Sequence, residues 1–307
     1  MEKVIVVIGP TSVGKTKMGV ALAKKFNGEV ISGDSMQIYK QMDIGTAKVT
    51  EEEKEGIIHH CVDILNSDET YSVHDFQQTV RKKITEITQR GHVPIIVGGT
   101  GLYIKAALYD YQFDEMENDH HAINEKYKDY TNEQLHDHLK SIDEESAKTL
   151  HFNNRRRVLR AIEIYETTGK RKSEMLEEQE HICLYDAYFV GLTLPRDVLY
   201  ERINKRVDVM MENGLKEEMD CLYSQGLTRN HQSMKAIGYK EWFDYYDHQI
   251  DLNDVLELIK KHSRQYAKRQ YTWFKNQFDV HWYDICLENF SKTIEEVSRD
   301  LKNPNEN

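Results

Sequence analysis

Residues 4–16 read VIVVIGPTSVGKT. The first five are a continuous run of β-branched apolar side chains, the mark of a strand buried on both faces. The next eight, GPTSVGKT at 9–16, fit G-x-x-x-x-G-K-[ST] at every fixed position. A helix is expected behind them, over 14–26. A loop of this kind converges backbone N–H groups on phosphate oxygens, and the helix start favours negative charge. Gly9, Thr11, Ser12, Val13, Gly14, Lys15 and Thr16 are therefore expected to hold a diphosphate or polyphosphate. Lys15 would neutralise the terminal phosphate, and the Thr16 hydroxyl suits Mg²⁺. An ordinary strand–helix turn accounts for the glycines but not for the whole pattern in this context.

Further along, residues 29–32 give a second strand and 92–97 (HVPIIV) a third, the latter after a helical pattern over 73–90. Residues 187–194 (AYFVGLTL) give a fourth and 279–283 (DVHWY) a fifth. Strands alternating with helices imply right-handed crossovers and a parallel sheet. Between the third and fourth strands the chain is polar and helix-patterned for about 70 residues, far more than one crossover helix requires. The fold class expected is α/β: a P-loop NTPase-like parallel sheet core flanked by helices, with an inserted all-helical subdomain. The expected division is a first core part over 1–112, a helical insertion over 113–182, and a second core part over 183–307 that carries the C-terminal helices.

Among 307 residues, 39% are hydrophobic, enough for a packed core. No apolar stretch is long enough to span a bilayer, and the N-terminal apolar run is too short for a signal peptide. A cytoplasmic protein with no membrane partner is expected. Cys61, Cys183, Cys221 and Cys286 are scattered without a CxxC pair, which argues against a disulfide framework or a zinc site. His59–His60 and His120–His121 are adjacent pairs whose side chains point apart, so solvated or satisfied histidines are the expected reading. The net charge of −11 disfavours a nucleic-acid partner unless basic residues cluster locally.

They do cluster. NNRRRVLR at 153–160 and GKRK at 169–172 lie in the helical insertion, and RQYAKRQYTWFK at 264–275 interleaves cations with aromatics. That mixture suits phosphate backbones and unstacked bases, although an amphipathic helix would show it too. In open parallel sheets ligands bind outside the carboxyl ends of the strands. Three special sequences fall there: GPTSVGKT, GDSMQIY at 33–39 and GGTGLY at 98–103. Together they make one candidate site, with Asp34 and a hydroxyl facing the phosphates.

The longer stretches resemble the bacterial-type tRNA dimethylallyltransferases, also called tRNA isopentenyltransferases, of the IPP transferase family. They are GPTSVGKT, SGDSMQIYKQMDIGTAK at 32–48, PIIVGGTGLYIKAAL at 94–108, RRRVLRAIEIYETTGK at 155–170, RVDVMMENGLKEE at 206–218, MKAIGYKE at 234–241 and RQYAKRQYTWFK. They stand in family order and cover nearly the whole chain.

The resemblance implies transfer of a dimethylallyl group from dimethylallyl diphosphate to N6 of the adenine 3′ of the anticodon (position 37), with Mg²⁺ as cofactor. The chain would work as a monomer on the tRNA anticodon stem-loop. By position, Asp34 would be the general base, Thr100 a catalytic hydroxyl, and Arg206 an aid to the diphosphate. Contacts to tRNA would come from Asp34, Ser35, Met36, Gln37 and Thr100, and from Arg156, Arg157 and Arg160 in the insertion. Lys235, Gly238, Tyr239 and Lys240 would add to them, as would Lys268, Arg269, Gln270, Trp273 and Lys275. The stretch 113–128 diverges from the family and carries no contact over. A small-molecule or nucleotide kinase shares the loop and the sheet and is the alternative enzyme; an RNA-binding switch that only senses a nucleotide is the non-enzymatic one.

Overall fold

The computed structural model describes residues 1–111, 120–177 and 181–303. The chain runs β1 (Lys3–Ile8), α1 (Lys15–Phe26), β2 (Gly28–Ser32), α2 (Glu51–Lys54), β3 (His59–His60), α3 (Val73–Gln89), β4 (Val93–Val97) and α4 (Gly101–Leu108). A helical stretch follows with α5 (His120–Lys126), α6 (Asn132–Ile142), α7 (Glu144–Thr149), α8 (Arg155–Thr168) and α9 (Lys172–Glu177). Then come β5 (Asp186–Thr193), α10 (Arg196–Glu212), α11 (Leu215–Ser224), α12 (Trp242–Tyr246), α13 (Leu252–Gln277), β6 (His281–Asp284) and α14 (Phe290–Lys302). Two compact units result: Met1–Tyr109 with Cys183–Asn307, and Asp110–Ile182. The expected boundary at 112/113 lies outside the described residues, as do 113–119 of the divergent stretch and the side chains of His120 and His121.

In the first unit the described strands form one parallel sheet in the order β3-β2-β4-β1-β5-β6. β1 is central, flanked by β4 and β5. Its alternate side chains therefore enter two cores: Val4, Val6 and Ile8 on one face, Ile5 and Val7 on the other. Burying each such side chain contributes roughly 1.5–3 kcal/mol, which explains why no polar residue interrupts the run. The strand missing from the sequence reading is β3, two histidines paired to Val30 and Ile31 of β2. A two-residue edge strand has no periodicity of its own to read.

α1 packs tightly on the sheet because Gly19 has no side chain; a Cβ there would lie 2.4 Å from Val97 Cγ2. That closeness aims the start of α1 at the carboxyl ends of β1 and β4. The β2 and β4 ends are tied to each other and to β1 by Gly33 N–H to the Val97 carbonyl (2.8 Å) and Gly98 N–H to the Val7 carbonyl (3.1 Å). A Cβ on Gly98 would come within 2.3 Å of the Gly33 backbone, so only glycine fits. The chain leaves and re-enters this unit at one place, where Tyr109 bridges Cys183.

The second unit is all-helical over its described residues, around Tyr127, Leu135, Leu139, Val158, Leu159 and Ile162. Thr131 and Gln134 form a capping box at the start of α6, and Gly169, at φ 71°, ends α8.

Candidate active site

The phosphate loop leaves β1 at Gly9 (φ 144°), passes Ser12 in the left-handed region (φ 65°) and enters α1 through Gly14 (φ 98°). A left-handed non-glycine residue stores strain, which persists where the surroundings over-determine it. Ser12 is such a residue, and its Oγ is buried with no hydrogen-bond partner among the described residues. The Lys15 ammonium folds back on the loop, donating to the carbonyls of Gly9 (3.0 Å) and Pro10 (2.8 Å). No carboxylate pairs with it among the described residues. Burial, reinforced by repulsion from Arg206 and only partly opposed by Asp34, pulls its pKa down to about 7. The Thr16 hydroxyl has no protein partner among the described residues.

Arg206, on α10, has no hydrogen-bond or ion-pair partner among the described residues. Burial pulls its guanidinium below the usual value, against the attraction of Asp34 and Glu53. A guanidinium stays protonated in proteins, so the lowering measures how incompletely its charge is compensated. Arg202, one turn earlier, donates to the Ser12 carbonyl at 3.1 Å and steadies the loop.

Asp34 follows β2. Its Oδ1 accepts the Met36 N–H at 2.8 Å, an Asx turn that orients the carboxylate and leaves Oδ2 without a hydrogen-bond partner among the described residues. The Thr100 hydroxyl accepts the Ser35 N–H (3.1 Å) and donates to Ser35 Oγ (3.3 Å), so it grips the same turn from the β4 side. The hydroxyl of Tyr266, on α13, donates to the Gly99 carbonyl at 3.3 Å. Burial and the charge of Asp34 push its pKa up to about 12, so it stays protonated at neutral pH.

Two cavities open on these groups. The larger, about 800 Å³, takes in Lys15, Thr16, Gly98, Gly99 and the cations Arg202 and Lys205. The smaller, about 350 Å³, is walled by Ile203, Val207, Ala236, Ile237, Tyr266 and Arg269. Thr11, Ser12, Asp34, Thr46, Arg206 and Met210 line both. A carboxylate thus stands between a chamber that holds the phosphate-loop cations and one whose walls are part apolar, at Ile203, Val207 and Ile237, and part polar.

The IPP transferase family model matches residues 37–277. The chain belongs to the IPP transferase family. It is 54% identical over 287 residues to a tRNA dimethylallyltransferase of Bacillus cereus strain AH187, covering 92% of this chain and 90% of that one. Among solved structures it resembles a tRNA Δ(2)-isopentenylpyrophosphate transferase of Staphylococcus epidermidis, with TM-score 0.74, 46% identity, and 99% and 100% of the two chains covered. It also resembles a eukaryotic dimethylallyltransferase acting on tRNA, with TM-score 0.86, 32% identity, and coverage of 99% and 80%.

Within this IPP transferase the residues expected at RNA divide sharply. Lys235, Lys240, Lys268, Arg269 and Lys275 are exposed cations of the first unit. Trp273 is half-buried, with its ring against Gly101. In the helical unit Arg156 and Arg157 are exposed and lack ion-pair partners among the described residues. Arg160 instead neutralises the buried Glu163 at 2.8 Å, and Arg155 turns inward to the Tyr127 and Tyr130 carbonyls.

Three of the residues expected at RNA lie inside the first unit. Tyr239 is fully buried, its hydroxyl donating to Glu218 Oε1 at 2.6 Å, so its side chain serves the core. Gly238 is buried as well; its N–H goes to Glu241, and its φ of 99° makes a turn. Gln270 is buried against the phosphate loop, where its Oε1 takes the Thr11 N–H. Thr11 therefore offers the cavity its side chain but not its backbone donor.

Gln37 faces inward too. Its amide joins Ser32 Oγ to the Thr46 and Ala47 carbonyls, which secures the loop over 43–48. Glu218 holds the same loop by accepting the N–H groups of Asp43, Ile44 and Gly45. Tyr266, Arg202 and Glu218 went unassigned in the sequence reading. For Tyr266 a signal exists: 266, 270 and 273 share a face of one helix, opposite Lys268 and Lys275.

Proposed function

We propose that this IPP transferase moves a dimethylallyl group from dimethylallyl diphosphate to N6 of the adenosine immediately 3′ of the tRNA anticodon, position 37. Transfer of a dimethylallyl group to tRNA is the activity its relatives are named for. The observation that carries the finer reading is the pair of half-buried, desolvated cations Lys15 and Arg206 beside Asp34, without carboxylate partners among the described residues and on the boundary of two cavities. Unpaired buried charge is costly unless a ligand completes it. Two cations and a phosphate loop call for a diphosphate.

The chemistry follows from that placement. An adenine amine is a poor nucleophile because its lone pair is conjugated with the ring. Asp34 takes the N6 proton as the N–C bond forms, while the allylic C–O bond breaks and its electron pair departs with the diphosphate. Lys15, Arg206 and the loop N–H groups stabilise the charge that accumulates there. Thr100 and the Met36 N–H hold the Asp34 turn in place. The apolar walls at Ile203, Val207 and Met210 suit a small prenyl group and limit the water that would otherwise capture the allylic carbon. The free Thr16 hydroxyl, a hard oxygen donor at the loop's end, fits Mg²⁺, a cation that draws most of its ligands from water and phosphate. When bound, Mg²⁺ supplies further neutralisation of the leaving diphosphate. The target base must leave its stack to present N6, and the anticodon stem-loop, whose loop bases are unpaired, meets that need.

The test is mass spectrometry of nucleosides from unmodified tRNA incubated with the protein, dimethylallyl diphosphate and Mg²⁺. Isopentenyladenosine at position 37 is the expected product. Asp34→Asn should lower kcat by roughly 10²–10⁴-fold with tRNA affinity little changed. Absence of product from a tRNA carrying adenosine at that position would falsify the reading.

A further inference from the structure

Gln270 sits on α13, four residues past Tyr266, and is 5% exposed. Its amide makes two contacts of opposite polarity. Oε1 accepts the Thr11 N–H at 2.9 Å, and Nε2 donates to the Gly99 carbonyl at 3.0 Å. The fit is tight, since a Cβ on Gly99 would lie 2.2 Å from Nε2. Thr11 belongs to the phosphate loop after β1, and Gly99 to the turn after β4. Both lie beyond the last rungs of the sheet, where Gly98 N–H meets the Val7 carbonyl. Past that rung the ladder no longer sets the spacing of the two loops.

What hangs on each loop gives this spacing its meaning. The Thr11 loop carries Lys15 and the diphosphate donors. The Gly99 turn carries Thr100, whose hydroxyl holds the Ser35 N–H next to Asp34. Beyond the rungs at Gly33 and Gly98, the Gln270 amide is thus a side-chain tie between the loop of the leaving group and the turn beside the base. We propose that Gln270 is a positioning residue for the transfer reaction, locking the diphosphate loop to the turn that aims Asp34. This inference rests on the function proposed above.

Only an amide serves, because one contact needs an acceptor and its neighbour a donor. Glutamate keeps the length but sets a second acceptor against the Gly99 carbonyl. Methionine keeps the length and offers neither strong group. Displacements of about 1 Å between reacting groups cost roughly 10²-fold in rate.

The experiment uses the full chain and the variants Gln270→Met and Gln270→Glu. It measures kcat, KM for dimethylallyl diphosphate, Kd for unmodified tRNA, Kd for inorganic diphosphate with Mg²⁺, and hydrogen exchange of a peptide spanning 9–16. The expected result is a loss of about 10²-fold in kcat/KM for the prenyl diphosphate in both variants. Exchange at the loop should be faster, and tRNA Kd should stay within about twofold. A tenfold rise in tRNA Kd with diphosphate binding intact would make Gln270 an RNA contact and overturn the proposal. Unchanged kcat/KM per folded molecule, with only the melting temperature lowered, would make it merely structural and overturn it too. Should one variant not fold, the other carries the same comparison. If the unaltered protein binds no diphosphate and transfers nothing, the proposed function itself fails, and this inference goes with it. Loss confined to the variants tests the inference alone.

Discussion

The two units treat buried charge in opposite ways. In the helical unit each buried carboxylate described is closed off by donors. Asp143, 1% exposed, takes the Ser146 N–H (3.0 Å), the Ser173 N–H (3.0 Å) and Ser173 Oγ–H (2.7 Å), so one carboxylate caps the starts of α7 and α9 together. Burial alone would push its pKa up; the Ser146 and Ser173 hydrogen bonds outweigh that and hold it below the ordinary value. Glu163 has Arg160; even the exposed Glu166 has Lys126 and the Tyr127 hydroxyl. Away from the cavities the α/β unit behaves the same way: Glu29 is gripped by Arg90, His60 and His92. Around the phosphate loop it does not, although Lys48, at the edge of the larger cavity, is paired with Asp43 and Asp63. Lys15 meets only carbonyls, Arg206 meets no partner among the described residues, and Ser12 Oγ is buried unpaired.

The difference teaches where function resides. A closed network stabilises the fold and leaves nothing for a ligand to complete. An open one costs stability and is retained where substrate supplies the missing charge. By this criterion the chemistry belongs to the α/β unit. The helical unit instead presents exposed cations such as Arg156 and Arg157; the attraction of such groups to a phosphate backbone is individually modest and weakened by salt.

The largest test of this contrast is Lys15→Met. Transfer should drop by about 10²–10³-fold, because one preorganised cation at the leaving group is gone. Yet the variant should melt higher than the parent at pH 7. The folded chain holds the Lys15 pKa at about 7, below its ordinary 10.5, so the cation costs stability in full below pH 7 and ceases to cost anything above about 10.5. The gain in melting temperature should therefore shrink as pH rises across that window. A variant that loses both activity and stability would break the contrast.

Asp143→Ala should do the reverse. Leaving two buried backbone donors without an acceptor should destabilise the helical unit by about 2–4 kcal/mol, read as a lower urea midpoint. Diphosphate affinity should stay within about twofold, since Asp143 shares no partner with the cavity residues. A large loss of diphosphate binding would show that the closed network also serves the site.

The smallest effect is a pH dependence. Bound diphosphate favours the charged form of Lys15, so binding takes up a proton above pH 7. Titration calorimetry between pH 7.5 and 9 should show affinity falling by up to about tenfold per pH unit. The ligand titrated is dimethylallyl diphosphate, whose last phosphate ionisation, near pH 6, is already complete there. Lys15→Met should flatten the profile, and a flat profile in the parent would show that Lys15 is already charged before the ligand binds.

Much of this was legible in the residues. VIVVI followed by GPTSVGKT specifies a buried strand, a phosphate loop and a helix, because each rests on local preferences: β-branching, left-handed glycines and the helix start. The alternation of strands and helices predicted the parallel sheet, and with it the meeting of Gly14, Asp34 and Gly98 at one end. Family motifs marked Asp34, Thr100 and Arg206.

What sequence could not express is which side chains those motifs turn inward. RQYAKRQYTWFK reads as one basic–aromatic stretch, yet α13 exposes Lys268 and Lys275 and buries Gln270 against Thr11, 259 positions away. MKAIGYKE reads as another, yet Tyr239 is fully buried with its hydroxyl on Glu218. β3 exists only because β2 leaves an edge for His59 and His60 to pair with. The sequence by itself determined the sheet, the phosphate loop and the kinds of group at its mouth, since those follow from short-range preference and hydrophobic pattern. Only the tertiary structure decided which charges are completed by neighbours and which wait for substrate, because a buried group's partner is set by packing between segments far apart in the chain.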